Sequence, residues 1–224
     1  INVEGYTAEI TLDTENSIIK VVYKKILDYR QITSLSELSN GAAYHIKAKS
    51  GEGYLAWNTT ISDTYLSLRG MTNSSYNNLP SNQAVVSIYK ESVSPFDMTV
   101  VWQIIQEDGK YYLYQPAKKE YVTRDSRDYK FTAEKVALDV IRDNGDGTFS
   151  FHAGGDYSDS STYFACIVTN EALTAVRNWT WNDHGSVMNI IENPNISFGE
   201  ETSVENIVVN EDKACKGIYN LQGQ

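Results

Sequence analysis

Trp102-Gln103-Ile104-Ile105, Leu138-Asp139-Val140-Ile141 and Met188-Asn189-Ile190-Ile191 are three renderings of one phrase: a bulky apolar residue, a polar residue, then two branched apolar residues. The copies stand 36 and 50 residues apart, so the units they mark are unequal, with insertions expected at Met71 to Ser81 and Gly154 to Ser161. A phrase that returns at this scale points to one supersecondary unit used repeatedly around a shared core. The flanks agree. The first copy runs through Asp108-Gly109 into Tyr111-Tyr112-Leu113-Tyr114, and the second through Asn144-Gly145-Asp146-Gly147 into Thr148-Phe149-Ser150-Phe151. Both read as hairpins, since Asn-Gly and Asp-Gly supply the positive φ that tight hairpin turns require. The third copy meets Asn193-Pro194-Asn195, where the strand is expected to stop. An earlier hairpin of the same kind pairs Ala43-Tyr44-His45-Ile46 with Tyr54-Leu55-Ala56-Trp57 across Ser50 to Gly53.

Composition supports an all-β class. The chain has 224 residues, 16 of them tyrosine and only 4 proline, and aromatic and branched side chains suit a pleated, half-buried surface. A chain of this length buries roughly 70% of its unfolded surface, enough for one main domain and a flanking element. Tyr6 to Leu12 alternates cleanly, and Asn16 to Tyr23 follows after a short turn, so a β-hairpin precedes the repeats. Two strands alone are marginal in water; residues 1–31 therefore either pack on the repeats or end an upstream domain, and the second reading is preferred. Ser34-Leu35-Ser36-Glu37 has capping-box spacing, with Asn40-Gly41 as a stop.

The repeated phrase with its glycine turns resembles the β-trefoil family over roughly residues 38 to 195. The resemblance implies three four-stranded units closing a six-stranded barrel capped by three hairpins. The Gln-x-Trp signature of the ricin-like subgroup is absent, and Trp102-Gln103 reverses it. A β-sandwich or jelly roll fits short, evenly spaced strands too. The expected organisation is a hairpin over 1–31, a trefoil-like domain over 32–196 and a polar tail over 197–224. That tail ends in Gly217-Ile218-Tyr219-Asn220-Leu221-Gln222-Gly223, which is similar to the opening of C-terminal sorting segments on proteins exported by anaerobic Gram-negative bacteria. Residues 32–44 look like the lead-in to trefoil-like modules of surface glycan-processing enzymes in such bacteria. These two likenesses, and not the composition, imply an extracellular or cell-surface location.

Several function classes are disfavoured. Net charge is −10 with no basic stripe, which disfavours nucleic acid. Lys118, Lys119, Arg124, Arg127 and Lys130 are interleaved with Glu120, Asp125 and Asp128 and read as a solvated loop. No apolar run reaches the length of a transmembrane helix. The chain starts at Ile1 without Met or a signal peptide, as a processed or excised product would. His45, His152 and His184 form no metal-ligand spacing, and the Asp143 to Gly147 run lacks the alternation of a calcium loop and reads as a turn. No catalytic residue, metal ligand or cofactor is assigned. Cys166 reads as a small buried thiol, Cys215 lies in the tail, and a disulfide between them stays open.

The candidate ligand surface is Arg177-Asn178-Trp179-Thr180-Trp181-Asn182-Asp183-His184. On a strand, Trp179 and Trp181 project from one face, and Asn182, Asp183 and His184 add hydrogen-bonding groups beside them. Sugars present C–H faces to indoles and hydroxyls to amides and carboxylates. The same two tryptophans also fit a core role, as does Trp57, the remaining candidate. The reading that follows is a noncatalytic carbohydrate-binding module of a secreted glycan-processing protein. A protein-interaction or protease-inhibitor trefoil is the alternative, and a glycoside hydrolase with an unidentified carboxylate pair is a second.

Overall fold

The structure is a computed structural model and describes residues 5–13, 18–49, 54–57, 67–69, 94–125, 128–153, 163–169, 172–181, 186–199, 207–208 and 215–219. The two expected insertions and the turn at residues 50–53 lie outside the described residues. The fold is all-β. In chain order the strands are β1 (Tyr6–Asp13), β2 (Ile18–Lys25), β3 (Arg30–Gln31), β4 (Ala42–Ala48), β5 (Tyr54–Ala56), β6 (Ser67–Arg69), β7 (Gln103–Glu107), β8 (Lys110–Gln115) and β9 (Glu120–Asp125). They continue as β10 (Asp128–Thr132), β11 (Val140–Asp143), β12 (Phe149–His152), β13 (Tyr163–Thr169), β14 (Ala172–Trp179), β15 (Met188–Phe198), β16 (Ile207–Val208) and β17 (Cys215–Tyr219).

Strand pairing closes a barrel of six. Three hairpin-type seams join β7 to β8, β11 to β12, and β15 to β4. Three short contacts complete the ring, Tyr44 opposite Trp102, Tyr111 opposite Leu138, and Phe149 opposite Met188. The lead residues of the repeated phrase thus occupy one equivalent position in each third of the ring, and all three are buried. Closure leaves the barrel without free edges. The hairpins β5–β6, β9–β10 and β13–β14 form the cap, with β14 paired to both β6 and β10. This is the β-trefoil.

The core is layered by the same symmetry. Ile104, Ile141 and Ile190 lie opposite Leu113, Phe151 and Ile46, and all six are buried. The sequence alternation places Val140, not Ile141, beside Ile104 and Ile190; the structure corrects this. Asp139 N–H donates to His152 O (3.0 Å), the residue against which Val140 is also registered. Two residues facing one make a β-bulge, which shifts the alternation by one. Val140 becomes half-buried and Ile141 enters the core. Trp102 fills the centre, its Nε1–H donating to Leu55 O (2.8 Å) and its indole stacked 6.1 Å from the Phe131 ring.

The local signals have identifiable outcomes. Asp108 and Gly109 both take positive φ (50° and 73°), as a two-residue hairpin turn demands. Ser34 caps a single 3-10 turn, Leu35–Glu37, and the Glu37 side chain completes the capping box. Gly41 does not end that turn, which closes at Leu38; a Cβ at Gly41 would lie 2.8 Å from Phe198 O, so glycine is required there by close approach. β15 does not stop at Asn193-Pro194-Asn195 but continues to Phe198 through a register irregularity. The buried asparagines hold it: Asn193 Nδ2 donates to Pro95 O (2.6 Å), and Asn195 Oδ1 accepts from Leu27 N–H (2.6 Å) while its Nδ2 donates to Leu27 O (3.0 Å).

The expected N-terminal hairpin is β1–β2, and the tail adds to it. β17 pairs with β2 from Cys215 opposite Tyr23 to Tyr219 opposite Ile19, giving a separate sheet in the order β1-β2-β17. Cys166 lies on β13 of the barrel and cap sheet, and Cys215 on this second sheet.

Candidate functional site

β14 ends at Trp179, whose backbone is registered with Tyr163 of β13, and Tyr163 is in turn registered with His152 of β12. Trp181 follows the strand in a turn. Trp181 therefore stands beyond the end of β14. What fixes Trp181 is its carbonyl, which accepts from the buried Ser150 Oγ (3.2 Å), and Ser150 also accepts from Asn144 Nδ2 (3.2 Å). The indole is half-buried, and the Arg142 guanidinium lies 3.8 Å from its ring centroid. Arg142 stands opposite Ser150 in the β11–β12 hairpin, so adjacent strands position the cation, the anchor and the ring. Asn182, Asp183 and His184 lie outside the described residues.

Trp57 is placed elsewhere. It follows β5, donates its backbone N–H to Thr99 O (2.9 Å), and packs half-buried against the core. Lys118 Nζ lies 5.4 Å from its ring and 5.5 Å from that of Phe131, while also pairing with Glu120 at 3.4 Å. The Lys118 side chain is only 12% exposed, so the basic cluster is not simply a solvated loop. The ammonium thus lies within cation–π range of both rings while it pairs with Glu120.

The described histidines serve the fold. His45 is buried; its Nδ1–H donates to Val100 O (3.2 Å) and its Nε2 accepts from Asn193 Nδ2 (3.2 Å), a neutral imidazole held on both sides. Burial pushes its pKa down to about 4. His152 places Nδ1 2.8 Å from Asp139 Oδ2, across the bulge. The Asp143 to Gly147 run is a hairpin turn, where Asp146 binds Thr148 and Lys49, and these hydrogen bonds hold its carboxyl below the ordinary range. Among the described residues no His, Cys, Asp and Glu cluster could hold a metal ion. No helix among them is long and apolar enough to cross a membrane.

Sequence reasoning missed Arg142 and Lys118 as partners of the two tryptophans. No sequence signal marked Arg142, because its equivalence to Ile105 and Ile191 emerges only once the bulge is known. Lys47 was also missed: it is fully buried, with Nζ 5.0 Å from the Tyr54 ring.

No protein-family model matches the chain, and no curated protein matches it. Among solved structures it is similar in shape to a ricin B-like lectin of Macrolepiota procera, determined in complex with lactose, at 10% identity and a TM-score of 0.48. The match covers 69% of this chain and 97% of that one. The trefoil assignment stands on the strand pairing alone.

Proposed function

We propose that this chain is a noncatalytic carbohydrate-binding module, part of a secreted or cell-surface glycan-processing protein. The observation that carries the reading is Trp181, a half-exposed indole beside the β11–β12 hairpin, fixed through its carbonyl by Ser150 and through its ring by Arg142. A ring held this way loses little freedom when a sugar stacks on it, which is the condition for useful affinity from a small contact. Trp179, Asn182, Asp183 and His184 are assigned to the same surface from their nearness to Trp181 in sequence, the last three as polar groups that would set orientation. The surface location rests on the two sequence likenesses, and the link to an upstream domain on the marginal stability of a lone two-stranded hairpin. The expected result is saturable binding on a glycan array, weakened about tenfold or more by Trp181→Ala and also reduced by Asp183→Ala, with thermal unfolding little changed. A large loss of thermal stability in Trp181→Ala without a change in sugar affinity would make this ring scaffold.

A second reading, a protein-interaction module, is favoured by β1: it is the outer strand of its sheet, and Ile10 and Leu12 on one face of it are 66% and 68% exposed. Silence across plant, host and microbial glycans, together with saturable binding of a protein that Ile10→Ser abolishes, would select it.

A further inference from the structure

The position that follows Ile104, Ile141 and Ile190 differs among the three barrel seams. Ile105 opposite Tyr112, Arg142 opposite Ser150, and Ile191 opposite His45 are equivalent once the bulge is counted. In two seams the residue is a buried isoleucine, 5% and 0% exposed; in the third it is an exposed arginine. The barrel itself therefore does not call for a charge here. Nor does an ion pair explain it: among the described residues Arg142 has no carboxylate partner, whereas Arg30 pairs with Glu37 and Glu192, Lys24 with Glu9, Lys49 with Asp146, and Lys135 with Glu107. In a chain with 29 acidic and 19 basic residues, such a guanidinium is out of keeping with its surroundings.

We propose that Arg142 and Trp181 form a subsite for a sugar bearing a single carboxylate, a uronic or sialic acid residue. The inference rests on the carbohydrate-binding reading and names its ligand class. Contact with the indole engages one face of the guanidinium and leaves N–H donors at its edge, the geometry that takes a carboxylate through two parallel hydrogen bonds. The exposed part of the same indole meets the C–H face of the sugar ring that carries the acid. The Ser150 anchor keeps the indole in place before the ligand arrives. A densely charged polymer is disfavoured, because Asp143 adjoins Arg142 in the strand and the whole chain carries −10. One carboxylate at one guanidinium avoids most of that repulsion.

The test is calorimetry on the full chain with oligosaccharides ending in glucuronate, galacturonate or N-acetylneuraminate, each beside its uncharged methyl ester. The acid form of at least one should bind about tenfold or more tightly than its ester, as loss of a charge-assisted hydrogen bond predicts. Arg142→Gln should erase that preference without moving the melting temperature, since the side chain is exposed. Arg142→Lys, which keeps the charge and loses the fork, should recover only part of it. Equal binding of acid and ester, or a preference that survives Arg142→Gln, overturns the proposal. If no carboxylated sugar binds, the proposal also falls. The parent reading is judged separately by neutral glycans and Trp181→Ala, so it survives if those bind through Trp181 and fails with the proposal if they do not.

Discussion

At the scale of single residues, the aromatic and polar side chains divide by what holds them. Trp102 is fully buried, hydrogen-bonded through Nε1 and stacked on Phe131, so it belongs to the core. Trp102→Ala should cost about 3–5 kcal/mol in chemical denaturation, through lost burial and the cavity left behind. Trp181, half-buried, should cost far less. His45 supplies a pH signature. Its folded pKa, about 4, is below the ordinary value of about 6.5, so the unfolded chain binds the extra proton first as pH falls. The stability contributed by neutral His45 is present above pH 6.5 and is lost progressively toward pH 4, by an amount on the order of 3 kcal/mol. Urea melts at pH 7 and pH 4.5 should show this loss, and His45→Gln should flatten the slope in that window. The sequence made Trp102 legible as core because it leads a repeated phrase. It could not place Trp181 beyond the strand, because that depends on where β14 ends.

At the scale of elements, the repeat made the barrel legible and the bulge hid one of its contacts. Period-two alternation is blind to an inserted residue, and nothing in Leu138-Asp139-Val140-Ile141 announces that Asp139 will share the His152 carbonyl with its neighbour's register position. The consequence is measurable. Ile141→Ala should cost about 2–5 kcal/mol, like Ile104→Ala, whereas Val140→Ala should cost under about 1.5 kcal/mol because its side chain is half-exposed. Matched denaturation midpoints for Val140→Ala and Ile141→Ala would contradict the bulge. Arg142 was hidden for the same reason: without the one-residue shift it aligns with Gln106 and Glu192, two polar residues, and looks ordinary. The prolonged β15 escaped the sequence for a different cause, since Pro194 argues for a stop and only the buried bonds of Asn193 and Asn195 show how the strand continues.

At the scale of the whole molecule, two β-assemblies of different character share one chain. The barrel has no free edge and is filled by layers of buried side chains from all three units, so its opening requires many contacts to fail together. The β1-β2-β17 sheet is bounded by outer strands, and Ile10 and Leu12 are 66% and 68% exposed. It joins β2 to β17, distant in sequence, and the chain leaving β2 is tied to the barrel strand β15 by the paired bonds between Leu27 and Asn195. Little apolar burial at β1 means little free energy opposing its local opening, whereas amides in β4, β7 and β15 exchange only when the barrel opens. Native-state hydrogen exchange should therefore show β1 exchanging at least tenfold faster than those barrel strands. Asn195→Ala, which removes both bonds to Leu27, should speed exchange in β2 more than in β7. Equal protection throughout would instead mean that the terminal sheet opens only with the barrel, and that its exposed apolar face contributes to one cooperative unit.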